Sequence, residues 1–199
     1  GLSETSPLVS INRPGDFVFG TVGRPAPGTE LRIDTGTGEI QVRGPGVTPG
    51  YWHDPEATTA AFTAGWFRTG DAGRMTEQGI IFVVDRIKDM YISGGENVYP
   101  AEVEDVIDDL DAVSQCAVIG VPDRRWGEVG LALVVPRPGQ PLAPERILEH
   151  CRERLARYKV PRDVRIVPAL PLSAQGKILK RELHRLYVES GGQPPSQVA

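Results

Sequence analysis

An α+β protein in two parts is predicted: a small β-rich, barrel-like subdomain, then a compact βαββαβ-type domain with an extra C-terminal helix. Three observations predict it. Up to about residue 84 the chain is rich in Gly, Pro and Thr, and short alternating runs sit between turn signals, as in small sheets and barrels. Beyond residue 89, breaker-free helical stretches alternate with apolar strands. Between the two lies a charged phrase, Asp85-Arg86-Ile87-Lys88-Asp89, where a domain boundary belongs.

The runs Glu30-Leu31-Arg32-Ile33 and Glu39-Ile40-Gln41-Val42-Arg43 read as strands of the first part. One helix interrupts it: Asp54 is a good N-cap, Pro55 suits the first turn, and no breaker follows until Gly65. Residues 80–84 are a short buried strand. In the second part the order is strand 90–93, helix 100–110, strands 114–121 and 128–135, helix 144–156 and strand 164–167. That is a split βαβ arrangement, with helices predicted on one face of the sheet. A last helix covers 178–188, and the Gly- and Pro-rich tail 189–199 is expected to be disordered.

Composition narrows the function. The 199 residues are 40% hydrophobic and 24% charged, without an eighteen-residue apolar run or a secretory signal pattern, so no membrane span is indicated and cytoplasm is the default location. Two cysteines, Cys116 and Cys151, are too few for a disulfide scaffold, and three scattered histidines build no metal cluster, so no bound metal is expected. A net charge of −4 argues against a general nucleic-acid binder. The chain lacks an initial Met and opens inside a polar phrase, so it is expected to be a piece of a longer protein. Charge is uneven: residues 96–111 hold seven acids and no base, whereas 152–185 hold ten bases and three acids. The basic stretch could meet an anion, or both runs could be solvated helix faces.

Four phrases break local rules in ways that packing does not require. In Thr69-Gly70-Asp71, an Asp held by a tight turn can accept two hydrogen bonds from a vicinal diol such as ribose, although the phrase is also an ordinary turn. In Ser93-Gly94-Gly95-Glu96-Asn97, paired glycines let backbone approach a ligand or simply make a turn. Lys177, after Gly176 and at the start of the last helix, faces the positive end of the helix dipole, tolerable if its ammonium reaches an anionic ligand. In the boundary phrase, Arg86 could clamp a diol or phosphate, and Lys88 can absorb backbone rotation without burying a charge.

In this order, the phrases resemble the C-terminal portion of an acyl-CoA synthetase of the adenylate-forming, AMP-binding superfamily. The resemblance runs from the opening Gly1-Leu2-Ser3-Glu4, where Ser replaces the usual Thr, through Gly38-Glu39-Ile40 with Gly50-Tyr51-Trp52, Gly65-Trp66-Phe67-Arg68-Thr69-Gly70-Asp71 and Asp85 to Asn97, to Gly176-Lys177. It implies that residues 1–84 are the β-rich end of a large AMP-binding domain, 85–89 a hinge and 90–188 a mobile domain. It implies ATP, magnesium and coenzyme A: Ser3 at the α-phosphate, Glu4 on magnesium, and Asp71 with Arg86 on the ribose. Lys177 would serve adenylate formation and Lys88 would be the pivot. Gly94, Gly95, Trp126 and Tyr158 would receive coenzyme A, with phosphates met by Arg157, Lys159 and Arg162. Trp66 and Phe67 stay as core residues. The Pro171 to Lys177 spacing matches that of members acetylated on this lysine by an acetyltransferase. The implied substrate is a fatty or other apolar carboxylic acid. An adenylating ligase that loads a carrier protein, and a non-enzymatic anion- or RNA-binding module, are the alternatives. The family's phosphate loop and acid pocket lie upstream, so the piece alone should be inactive without the missing N-terminal domain.

Overall fold

The computed structural model describes residues 1–191. Most of the tail expected to be disordered lies outside them. The chain forms two compact units, Gly1–Lys88 and Asp89–Ala199.

The first unit contains β1 (Ser10–Ile11), β2 (Arg24–Pro25), β3 (Glu30–Ile33), β4 (Glu39–Arg43), α1 (Pro55–Ala61), β5 (Phe62–Thr63), β6 (Trp66–Met75) and β7 (Ile81–Arg86). β1 and β2 pair alone, whereas β3, β4, β6 and β5 form an open antiparallel sheet that β7 joins beside β6. The β-rich reading therefore holds. Asp54 caps α1 as predicted, accepting from Ala57 N at 2.9 Å. The helix stops three residues early, because Phe62 pairs with Phe67 across a two-residue turn in which Ala64 and Gly65 both have positive φ. Phe67 is buried and packs edge-on against Phe62. Trp66 is not core: it is half-exposed, and the guanidiniums of Arg32 and Arg43 lie 4.5 and 4.6 Å from its ring.

The second unit contains β8 (Tyr91–Ser93), β9 (Glu96–Val98), α2 (Pro100–Asp108), β10 (Val113–Asp123), β11 (Gly127–Pro136), α3 (Pro144–Arg154), β12 (Asp163–Ile166) and α4 (Lys180–Glu189). All five strands share one sheet, with β11 pairing antiparallel with β10 and β8 and parallel with β12. One expectation needs correction: a further strand, β9, stands between Gly94-Gly95 and α2. Gly94-Gly95 makes the turn of the β8–β9 hairpin, both glycines having positive φ. As predicted, α2 and α3 share one face of the sheet, while the extra C-terminal helix α4 covers the other. Val118, Ala132 and Val134 pack with Val103 and Ile107 of α2 and Ile147 and Cys151 of α3, whereas Ala117, Ile119 and Leu133 pack with Leu183 of α4. Coverage of both faces explains why Cys116 to Val121 is buried without alternation. Both cysteines are free and buried, and burial pushes the Cys151 thiol up to about 11, so neither is a ready nucleophile. No helix among the described residues is long and apolar enough to cross a membrane.

Candidate functional site

In the first unit, Asp71 does not sit in a tight turn. It lies within β6, where the register with β4 jumps between Arg68 and Ala72 and Gly70 adopts φ 74°. The result is a bulge that re-aims one side chain of an otherwise regular strand. Asp71 and Arg86 are cross-strand partners on β6 and β7, and Arg86 Nε lies 2.8 Å from Asp71 Oδ1. Burial raises the Asp71 carboxyl above its ordinary value, against the opposing pull of Arg86. With Thr69, Asp71 borders a cleft of about 360 Å³ whose other walls include Leu2, Ile40, Ile81 and Val83. A carboxylate and a guanidinium beside an apolar slot suit a ligand with a polar diol and a flat hydrophobic body.

Ser3 and Glu4 form a single 3-10 turn with Thr5, and Ser3 is exposed. Tyr51 donates to Glu4 Oε1 at 3.1 Å, and the Glu4 carbonyl accepts from Thr48 N at 2.7 Å. The turn is thus tied down through both its side chain and its backbone. A single half-buried carboxylate suits magnesium, which usually takes one or two carboxylates together with substrate phosphates. Among the described residues no group of three or more His, Cys, Asp or Glu could hold a metal without such help.

The second unit has its own cleft, about 390 Å³, lined by Ser93, Arg125, Trp126, Arg157, Tyr158 and Arg162. It brings both predicted aromatics together. Asp123 Oδ1 accepts from the backbone N–H of Arg125 and Trp126, at 2.8 and 2.9 Å, and so shapes the β10–β11 turn that presents the indole. Gly94 N donates to Trp126 O at 2.9 Å, which places the paired glycines at the rim. Arg125 was missed by the sequence reading, although a basic residue preceding Trp126 was a visible signal. Lys159 is not available to a phosphate, since its ammonium is 2.6 and 2.7 Å from the two Glu102 oxygens.

Lys177 precedes α4 rather than starting it. It ends a tight loop in which Lys177 N and Gln175 N donate to Ser173 Oγ, Gly176 N donates to Ser173 O and Ser173 N donates to Lys177 O. The Lys177 side chain is exposed and has no ion-pair partner among the described residues. Lys88 is exposed in the 3-10 turn Ile87–Asp89, at the last position of the first unit.

Residues 102–177 match the family model described as the AMP-binding enzyme C-terminal domain. The chain belongs to the AMP-binding enzyme family through this C-terminal domain. It is 50% identical over 190 residues to a methyl-dioxo-octahydroindenyl-propanoyl:CoA ligase of Mycobacterium tuberculosis, covering 94% of this chain and 37% of that protein. It is 49% identical over 198 residues to a feruloyl-CoA synthase of Amycolatopsis, covering 94% and 40% respectively. Among solved structures, ATP-bound MatB from Rhodopseudomonas palustris superposes with a TM-score of 0.86 at 38% identity, over 94% of this chain and 39% of that one. The chain thus spans about two fifths of the relatives it matches. The AMP-binding C-terminal domain embraces α2 to the Lys177 loop, whereas Asp71, Arg86 and Lys88 precede it.

Two further features of this chain escaped the sequence reading. Glu39 is buried in β4 and accepts from Arg68 Nε and Gly70 N, both at 2.9 Å. The acidic and basic runs neutralise one another, through Glu102 with Lys159 and Glu104 with Lys180. An acid directly after Gly38, opening a strand with no exposed side to spare, was the available signal for Glu39. Nothing local announces the pairing of the runs.

Proposed function

We propose that the whole enzyme containing this chain is an ATP-dependent carboxylate–CoA ligase acting on a fatty or other apolar acid. The observation that carries the proposal is the Asp71–Arg86 pair held at a strand bulge beside an apolar cleft. Relatives named as CoA ligases support the reaction class.

Asp71, as carboxylate, accepts from both ribose hydroxyls of the nucleotide, and Arg86 orients it. Ser3 offers its hydroxyl to the α-phosphate. Glu4 is the residue that holds magnesium with the phosphates, which supplies charge neutralisation there. A substrate carboxylate oxygen attacks the α-phosphorus and the bond to pyrophosphate breaks. The Lys177 ammonium bridges carboxylate and phosphate oxygens and offsets the charge that develops between them. The thiol of coenzyme A then attacks the acyl carbon and AMP leaves. Rotation at Lys88 exchanges Lys177 for the Gly94-Gly95 turn between these steps, and the cleft of Arg125, Trp126, Arg157, Tyr158 and Arg162 receives the coenzyme A nucleotide. Gly94 and Gly95 leave room for the pantetheine arm beside bare backbone. A cytoplasmic setting, where ATP and coenzyme A are plentiful, suits this chemistry. Nothing in the relatives supports an acetyltransferase acting on Lys177. The RNA-binding alternative loses its basis, because part of the basic run is spent on α2.

The test is pyrophosphate exchange by the full-length enzyme over a panel of acids, followed by a choice between coenzyme A and a phosphopantetheinyl carrier protein as acceptor. Acid-dependent exchange and transfer to coenzyme A are expected, with no turnover by the 199-residue chain alone. Transfer to the carrier only, or full turnover by the chain alone, overturns the proposal.

A further inference from the structure

β4 contains a buried charge that the sheet alone does not require. Glu39 is 2% exposed, yet most buried carboxylates destabilise a fold unless every oxygen is engaged. Both of its oxygens are engaged by one short segment. Oε2 accepts from Arg68 Nε and Oε1 accepts from the backbone N–H of Gly70, each at 2.9 Å. Arg68 and Gly70 flank Thr69, whose hydroxyl donates to Ile40 O at 2.6 Å and accepts from Asp71 N at 3.1 Å. The bulge from Arg68 to Asp71 is therefore strapped to β4 at three points: guanidinium, amide and hydroxyl. A bulge leaves its extra residues outside the ladder, so without the straps the direction of Asp71 would be free to vary.

We propose that Glu39 and Thr69 are positioning residues for the nucleotide site: together they lock the Thr69-Gly70-Asp71 bulge and so aim the Asp71 carboxylate. The inference rests on the assignment of Asp71 to the ribose. In this scheme Glu39 does not touch the nucleotide, and Thr69 acts by its two backbone bonds.

The full-length enzyme tests it through discrimination between ATP and 2′,3′-dideoxy-ATP, taken as the ratio of kcat/KM values in pyrophosphate exchange. Glu39→Gln keeps the shape and an oxygen for Gly70, but turns an amide nitrogen toward Arg68, whose own side chain is 43% exposed and can be hydrated instead. Thr69→Val removes the hydroxyl strap and leaves the buried carboxylate in place, which provides a second route if Glu39→Gln does not fold. Asp71→Ala is the reference that loses discrimination. Each variant is expected to lower the ratio by about tenfold or more, as when a hydrogen bond to a charged group is lost, with KM for the acid and for coenzyme A unchanged. If Asp71→Ala loses discrimination while a folded Glu39→Gln or Thr69→Val keeps it, the positioning role is overturned and the ribose assignment stands. If Asp71→Ala itself keeps the full ratio, the ribose assignment falls and takes the positioning role with it.

Discussion

The indole of Trp126 lies over the bare Cα of Gly94: a Cβ built there would meet Trp126 Cε3 at 2.6 Å, while Gly94 N donates to Trp126 O. The two residues come from different hairpins, β8–β9 and the β10–β11 turn, and their contact sets the rim of the second unit's cleft.

Gly94→Ala should therefore displace Trp126, whereas Gly95→Ala should not, since nothing lies within 4 Å of a Cβ at Gly95. Both positions have positive φ, so both variants carry a backbone cost of roughly 1 kcal/mol and serve as controls for each other. In the full-length enzyme, Gly94→Ala is expected to raise KM for coenzyme A by about tenfold and leave pyrophosphate exchange intact. Equal effects of the two variants on coenzyme A would remove Trp126 from the site.

Lys180 Nζ lies 2.8 Å from Glu104 Oε1, and the same oxygen accepts from Val118 N at 2.6 Å. One carboxylate thus joins α2, β10 and the first residue of α4, three positions after Lys177. Glu104→Ala leaves a largely buried ammonium and amide with a partner removed, and should destabilise the second unit by about 2–4 kcal/mol. Urea unfolding of the 199-residue chain checks this; a loss below 1 kcal/mol would mean the pair behaves as a surface one.

Lys177→Ala in the full-length enzyme should lower adenylate formation by about 10²- to 10³-fold and spare thioester formation from supplied acyl-adenylate. Its exposed side chain has little structural role, so its melting temperature should not move. Equal damage to both half-reactions would count against the assignment.

Asp71 has its carboxyl raised by burial, so the folded state disfavours the charged form. The penalty is absent at pH values below the unfolded carboxyl's range and complete above the folded one. Asp71→Asn is therefore expected to raise the melting temperature of the chain by roughly 1–3 °C at pH 7, with the gain vanishing toward acid pH. In the full-length enzyme the same change should weaken ATP. A fall in melting temperature at pH 7 would show that Arg86, not burial, dominates the site.

Much of the fold was legible locally. Strands β3, β4, β7, β10, β11 and β12 and helices α2, α3 and α4 follow from apolar runs and from Pro at the first turn, as at Pro100 and Pro144. What was not legible depended on partners distant in the chain. α1 ends early because Phe62 is claimed by Phe67, and β9 exists because Glu96 to Val98 can pair with β8 once Gly94 and Gly95 make the turn. The site divides in the same way. Asp71, Arg86 and Lys177 stand out by type and phrase, but Lys159 looked like a phosphate ligand until Glu102, fifty-seven residues earlier, proved to hold it.

By itself, the order of residues determined the two-part α+β plan, the boundary phrase around Lys88 and the identities of the groups able to do chemistry, because turn chemistry, periodicity and side-chain type act over a few residues. Only the tertiary structure decided which of those groups are free and where they point. Glu39 aims at a bulge, Trp126 rests on Gly94, and α4 covers the second face of the sheet. Hydrogen bonds and ion pairs form by distance in space, and strand pairing brings together residues whose separation along the chain carries no local mark.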